Sequence, residues 1–224
     1  MIDLSQDYQI NELWGEISSE NVIFFDASLN VAMNEIDSVL KRNFLKYFAE
    51  VFPSGILIRQ IFNDKVRLGK LILDKPPKVV ILPSNDMKAL KEWDIVFAVK
   101  PLCKLKPSLI YIKKNEWKTL GIPDPNFSPL GKIGLDYGKE YELRKYILYN
   151  KDIPSAIKRR EIDIGVMWAH EGKEYGFEVS ELNKSITLEI GLIKGFGKFS
   201  ERAFEIILSE GKEILKSHHL EVFT

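Results

Sequence analysis

Between Lys78 and Asn85 the chain reads K-V-V-I-L-P-S-N, a compact apolar run cut off by Pro83, Ser84 and Asn85. A short apolar stretch bounded by turn residues predicts a buried strand. Working outward, Val22–Phe25 repeats the pattern, and Ser28 then precedes apolar positions at Met33, Ile36, Leu40, Phe44 and Phe48. That spacing predicts a helix, with Ser28 as its N-cap. Pro53-Ser54-Gly55 forms the next turn and opens a helix over 56–62. Further strands are predicted at 95–99, 109–112, 163–168 and 186–194, with Pro101 to Pro107 breaking the chain between the first two. Helices are predicted at Ile10-Leu13-Trp14-Ile17, at 141–149, from Pro154 as a first helical residue, and after a Ser200 cap along Phe204, Ile207, Leu208 and Leu215. Strands alternating with helices imply an α/β architecture with mainly parallel sheets. There is no internal repeat and no low-complexity tract.

The 224 residues are 45% hydrophobic and 29% charged, which suits one large domain or two small lobes. Lys+Arg and Asp+Glu are both 32, so the formal net charge is +0 and no general attraction to nucleic acid or acidic membranes follows. The acids crowd the start: no Lys or Arg precedes Lys41, whereas eight Asp and Glu do. A secretory leader begins with basic residues and a long apolar run, and neither is present. As it stands the chain would be cytoplasmic, or extracytoplasmic if a leader had been removed. The single cysteine, Cys103, excludes an intrachain disulfide and reads as a small core residue. His170, His218 and His219 lack ligand-like spacing.

Four turns share one property. Ser28, Ser54-Gly55, the loop D-P-N-F-S-P-L-G at Asp124–Gly131, and Asp152-Ile153-Pro154 each lie near a predicted helix start. Unpaired N–H groups and the positive dipole end favour an anion there. In the third turn proline removes its own donor, which leaves Leu130 and Gly131 with the free N–H groups at the tip. Four ordinary caps would produce the same pattern.

The order of several stretches resembles the periplasmic molybdate/tungstate-binding proteins of ABC transporters. The stretches are D-A-S-L (26–29), P-S-G-I-L-I-R-Q-I (53–61), V-V-I-L-P-S-N-D (79–86), D-P-N-F-S-P-L-G, N-K-D-I-P-S-A-I (150–157), E-I-D-I-G-V-M-W (161–168) and the closing run 207–223. The resemblance implies a two-lobe periplasmic-binding-protein type II fold with a hinge of two crossing strands. It implies lobe I at 1–98 and 190–224 and lobe II at 99–189. It also implies an oxyanion, molybdate or tungstate, clamped between the lobes by Ser28, Ser54, the N–H groups of Leu130 and Ile153, and Trp168 where the family has a tyrosine. No cofactor or metal beyond that oxyanion is expected. The partner would be an ABC transporter permease if the chain is exported, and the chain itself a monomer. Extra carboxylates of a related six-coordinating subgroup would fall on Ser128 and Met167 and are missing.

Three features depart from that pattern: Asp26 two residues before Ser28, a long connection over 63–76, and the acidic start. The alternative expectation is an intracellular sensor or effector-binding module on the same fold. No Ser/His/Asp set, paired acid–base site or phosphate loop supports an enzyme, and G-L-I-K-G-F-G at 191–197 reads as a turn.

Overall fold

The computed structural model describes residues 1–5, 12–113, 116–195 and 197–223. In chain order the strands are β1 (Ile2–Asp3), β2 (Leu13–Gly15), β3 (Val22–Asp26), β4 (Phe48–Phe52), β5 (Val66–Leu68), β6 (Leu71–Leu73), β7 (Val79–Pro83) and β8 (Val96–Leu105). They continue as β9 (Pro107–Tyr111), β10 (Thr119–Pro123), β11 (Glu142–Tyr146), β12 (Ile164–Trp168), β13 (Glu178–Glu181), β14 (Ile186–Ile193) and β15 (Glu221–Val222). The helices are α1 (Met33–Arg42), α2 (Ser54–Ile61), α3 (Ser84–Glu92), α4 (Pro129–Tyr137), α5 (Tyr149–Lys158), α6 (Ala169–Glu174), α7 (Lys198–Ile206) and α8 (Lys212–Ser217). A 3-10 turn, Ala27–Ala32, precedes α1, and a π-helical turn, Ile207–Gly211, joins α7 to α8.

Seven strands in the order β15-β8-β14-β7-β3-β4-β2 form one sheet, and five in the order β11-β10-β12-β9-β13 form the other. A small sheet, β1-β5-β6, flanks the first. β3 lies parallel to both β4 and β7, and β10 lies parallel to β11 and β12. Every residue of β3, β4, β7 and β12 is buried, as expected of parallel strands covered by helices on both faces. The chain leaves the first sheet along β8 and returns along β14, the two strands that pair antiparallel in the crossing region. This is the α/β two-lobe fold of type II periplasmic binding proteins.

Several local expectations are corrected. Leu13 and Trp14 belong to a strand paired with β4, not to a helix; Ile10 lies outside the described residues. The helix after β3 is capped by Asp26, whose carboxylate accepts from the Ser28 N–H, and α1 stops at Arg42. Phe44 adopts φ 59° just beyond it, and Phe48 opens β4. The 141–149 stretch holds β11, because pairing with β10 outweighs a helix-like spacing. Pro101 does not break the chain. It sits in β8 where two residues of that strand oppose one of β14, and its outer side has no partner strand, the position a strand proline tolerates. A second irregularity in the same pairing holds Ala98 at φ 50°. Pro154 is the sixth residue of α5, not the first. Gly197, not Ser200, is the N-cap of α7. Cys103 is buried, and burial raises its thiol pKa far from reactivity.

Candidate functional site

The C-terminal ends of β3 and β12 carry the chain into the region between the two sheets. β3 ends at Asp26 and feeds the 3-10 turn with Ser28; β12 ends at Trp168 and feeds α6 with His170 and Glu171. α5 brings Tyr149 and Asn150, and α2 brings Ser54. The 3-10 turn is packed by both α5 and α6, so the elements converge there.

Ser28, Ser54, Leu130, Ile153 and Trp168 are all buried, but their polar groups differ. The Ser28 N–H donates to Asp26 Oδ1 at 3.0 Å, while its Oγ faces the same carboxyl without a hydrogen bond of good geometry. Ser54 Oγ faces the Asp86 carboxyl without a hydrogen bond of good geometry. The Leu130 N–H donates to Ser128 Oγ at 3.2 Å, and the Gly131 N–H to the Ser128 carbonyl at 3.1 Å. Both donors that the sequence left open at the loop tip are therefore used inside their own turn. Ile153 is the fifth residue of α5, within the helix's own N–H to C=O pattern, and its side chain packs over Gly165. The Trp168 indole N–H donates to the Tyr149 hydroxyl at 2.9 Å.

Two carboxyl groups stand in this region. Asp26 takes the Ser28 N–H and lies beside that of Ser54. Burial nevertheless pushes its pKa up to about 6, with those hydrogen bonds opposing and the Asp86 charge adding to the rise. Glu171 is buried, and neither of its oxygens has a hydrogen bond of good geometry. Desolvation together with the Asp26 charge raises its pKa well above the ordinary glutamate value, with the Trp168 backbone N–H beside it opposing the rise. The Asn150 amide is also buried with neither end satisfied. Glu171 and Asn150 escape a sequence reading: E in A-H-E-G-K-E and N in Y-N-K-D look like ordinary helix-surface residues. Among the described residues no group of three His, Cys, Asp or Glu is placed to hold a metal ion.

The two halves touch at several points. The Gly55 N–H donates to the Phe127 carbonyl at 2.8 Å, and a Cβ at Gly55 would meet Phe127 Cα at 2.7 Å. His170 Nε2 lies 2.8 Å from the Ser28 carbonyl, and burial lowers its pKa to about 4, so the ring is neutral. Lys151 pairs with buried Glu12 at 3.3 Å. A small pocket of about 70 Å³ lies at the mouth between Ser54, Asp86, Asn126 and Lys132.

The sequence matches no protein-family model and no curated protein. Solved structures do share its fold. The Azotobacter vinelandii periplasmic molybdate-binding protein superposes with a TM-score of 0.71 at 12% identity, over 91% of this chain and 100% of that one. The substrate-binding domain of a candidate molybdenum ABC transporter from Clostridium difficile gives 0.61 at 20% identity, over 91% and 99%. A candidate phosphate ABC transporter substrate-binding protein from Clostridium perfringens, with bound phosphate, gives 0.61 at 11% identity, over 91% and 99%.

Proposed function

We propose that this chain is a solute-binding protein of an ABC transporter, closing two lobes on a small polar solute rather than catalysing a reaction. The observation that carries the reading is the pair of buried polar groups without a hydrogen bond of good geometry at the junction of the lobes: the Asn150 amide and the Glu171 carboxyl. Each unsatisfied buried group costs about 1–3 kcal/mol, a cost that a bound ligand with matching donors and acceptors removes. The lobes are taken as 1–98 with 190–224, and 99–189, moving about the crossing strands β8 and β14. Closure then fixes many contacts at once and expels water. A transporter permease is the partner that such a monomer would serve.

The finer reading, a molybdate- or tungstate-like oxyanion, rests on the resemblance, which assigns Ser28, Ser54 and Trp168 as its ligands. Such an anion would share the site with Asp26 and Glu171, and would bind only with both carboxyls protonated. The test is a thermal-shift panel with molybdate, tungstate, sulfate, phosphate, small organic acids and small amines, run at pH 5.5 and 7.5. A ligand at 100 times its Kd stabilises by about 2.7 kcal/mol. An oxyanion response strengthening toward pH 5.5 supports the finer reading. A response to another solute supports capture but not the oxyanion, and silence to every class of solute removes the proposal.

A further inference from the structure

An anion is already built into this cleft. The start of α2 and the turn after β3 offer the N–H groups expected to hold an oxyanion, and the Asp26 carboxylate sits against both, taking the Ser28 N–H and lying beside that of Ser54. What remains open for a ligand is dominated by acceptors. Glu171 Oε1 and Oε2 and Asn150 Oδ1 are buried without a hydrogen bond of good geometry, only the Trp168 backbone N–H lying beside Glu171, against one open donor group, the Asn150 NH₂. The Ser28 and Ser54 hydroxyls face the Asp26 and Asp86 carboxyls. No cation faces Asp26 or Glu171 in the described ion pairs. The titratable groups coupled to them are acids or neutral: Asp86 from α3 acts on Asp26, and the two acids in turn raise Cys103 of β8 and Tyr149 and Tyr175 of the second lobe. Lys151 is directed to Glu12 and His170 is neutral against the Ser28 carbonyl.

Building on the solute-binding reading, we infer that the cleft selects a small solute carrying a cationic nitrogen, held between the Asp26 and Glu171 carboxyls and the Asn150 side-chain carbonyl. A buried acceptor set without a counter-charge is costly empty and favourable once an N⁺–H donor fills it. A dianion at the same place would meet like charge on Asp26. The solute must be small, because the buried Tyr149 ring, held by the Trp168 indole N–H, lies beside the same two acids.

Proton bookkeeping separates the two ligand charges. A cation favours the ionised form of both acids, so its binding releases protons; an oxyanion favours the neutral forms, so its binding takes protons up. The experiment is calorimetric titration of the whole chain with ethanolamine, putrescine and methylammonium, and in parallel with molybdate and phosphate, in buffers of different ionisation enthalpy. The expected result is amine binding with net proton release, at least about fourfold weaker at pH 5.5 than at pH 7.5 as Asp26, with its pKa of about 6, loses charge and the raised Glu171 carboxyl adds to the loss. Glu171→Gln and Asp26→Asn are each expected to weaken it at least tenfold, with unchanged circular dichroism. Because proton release is read on the wild type, the proposal stays testable if either variant fails to fold. Oxyanion binding with proton uptake, surviving Glu171→Gln, overturns the inference but leaves solute capture standing. If neither amine nor oxyanion binds the wild type, the inference falls, and solute capture falls with it only if the wider panel is silent too.

Discussion

Glu50 and Glu171 are both fully buried glutamates, one in the first sheet and one at the junction of the lobes. Glu50, on β4, accepts from the Gln60 amide of α2 at 2.7 Å. Burial raises its pKa to about 7, with Gln60 opposing and the Asp74 charge adding. Glu171 has no such side-chain partner, only the Trp168 backbone N–H beside it, and burial raises its pKa well above the ordinary glutamate value. The fold thus supplies a partner for an acid where it is part of the scaffold. At the junction it leaves an equally buried acid without one. A buried polar group lacking a partner is rare enough in folded proteins to need a reason, and a ligand is the reason proposed above.

The largest effect that would sharpen this contrast is on the pH dependence of stability. A carboxyl whose folded pKa lies above its unfolded value binds more protons in the folded state, so stability falls as pH rises between the two values. For Glu50 the window runs from 4.5 to about 7, a loss of about 3 kcal/mol. Glu171, raised in the same direction, adds a loss of the same sign. Urea unfolding of the wild type is expected to show this decline, and Glu171→Gln to flatten it while changing stability little at pH 5. A Glu171→Gln curve parallel to the wild type would break the comparison.

A middle-sized effect is expected from Glu50→Ala at pH 5, where Glu50 is neutral. The substitution leaves the Gln60 amide buried without its acceptor, costing about 1–3 kcal/mol, measured as a lower urea midpoint with an unchanged slope. The smallest concerns Trp168→Phe, which removes the indole donor to Tyr149 but keeps an aromatic ring. It is expected to cost about 1 kcal/mol in thermal unfolding. A larger loss would mean that Tyr149 depends on the indole to stay beside Glu171.

The sheets were legible because their central strands are short apolar runs with polar ends, as at Val22–Phe25 and Val79–Leu82. The edge strands were not. β11 is largely exposed, its residues fit helical spacing as well as strand alternation, and only the neighbouring β10 decides between them. The same holds for β2, where pairing with β4 makes a strand of Leu13–Gly15. In the site, the sequence pointed to Ser28, Ser54 and Trp168, and to Asp26 as a conflict. It could not show that Asp26 resolves the conflict by taking the very N–H groups an anion would need. Nor could it separate Glu171 from the charged residues around it, since burial is a property of the packed fold.

The contact between Gly55 and Phe127 has a mechanical consequence. With backbone atoms on both sides, position 55 has no room even for a methyl group while the two halves meet as they do here. Gly55→Ala would act as a doorstop, trading one hydrogen bond for a wedge, with a strain typical of overpacking at about 1–3 kcal/mol. Small-angle scattering is expected to report a wider molecule, and any solute to bind less tightly without its binding side chains being touched. One methyl group would thereby separate the work of shutting the cleft from the work of recognising what lies inside it.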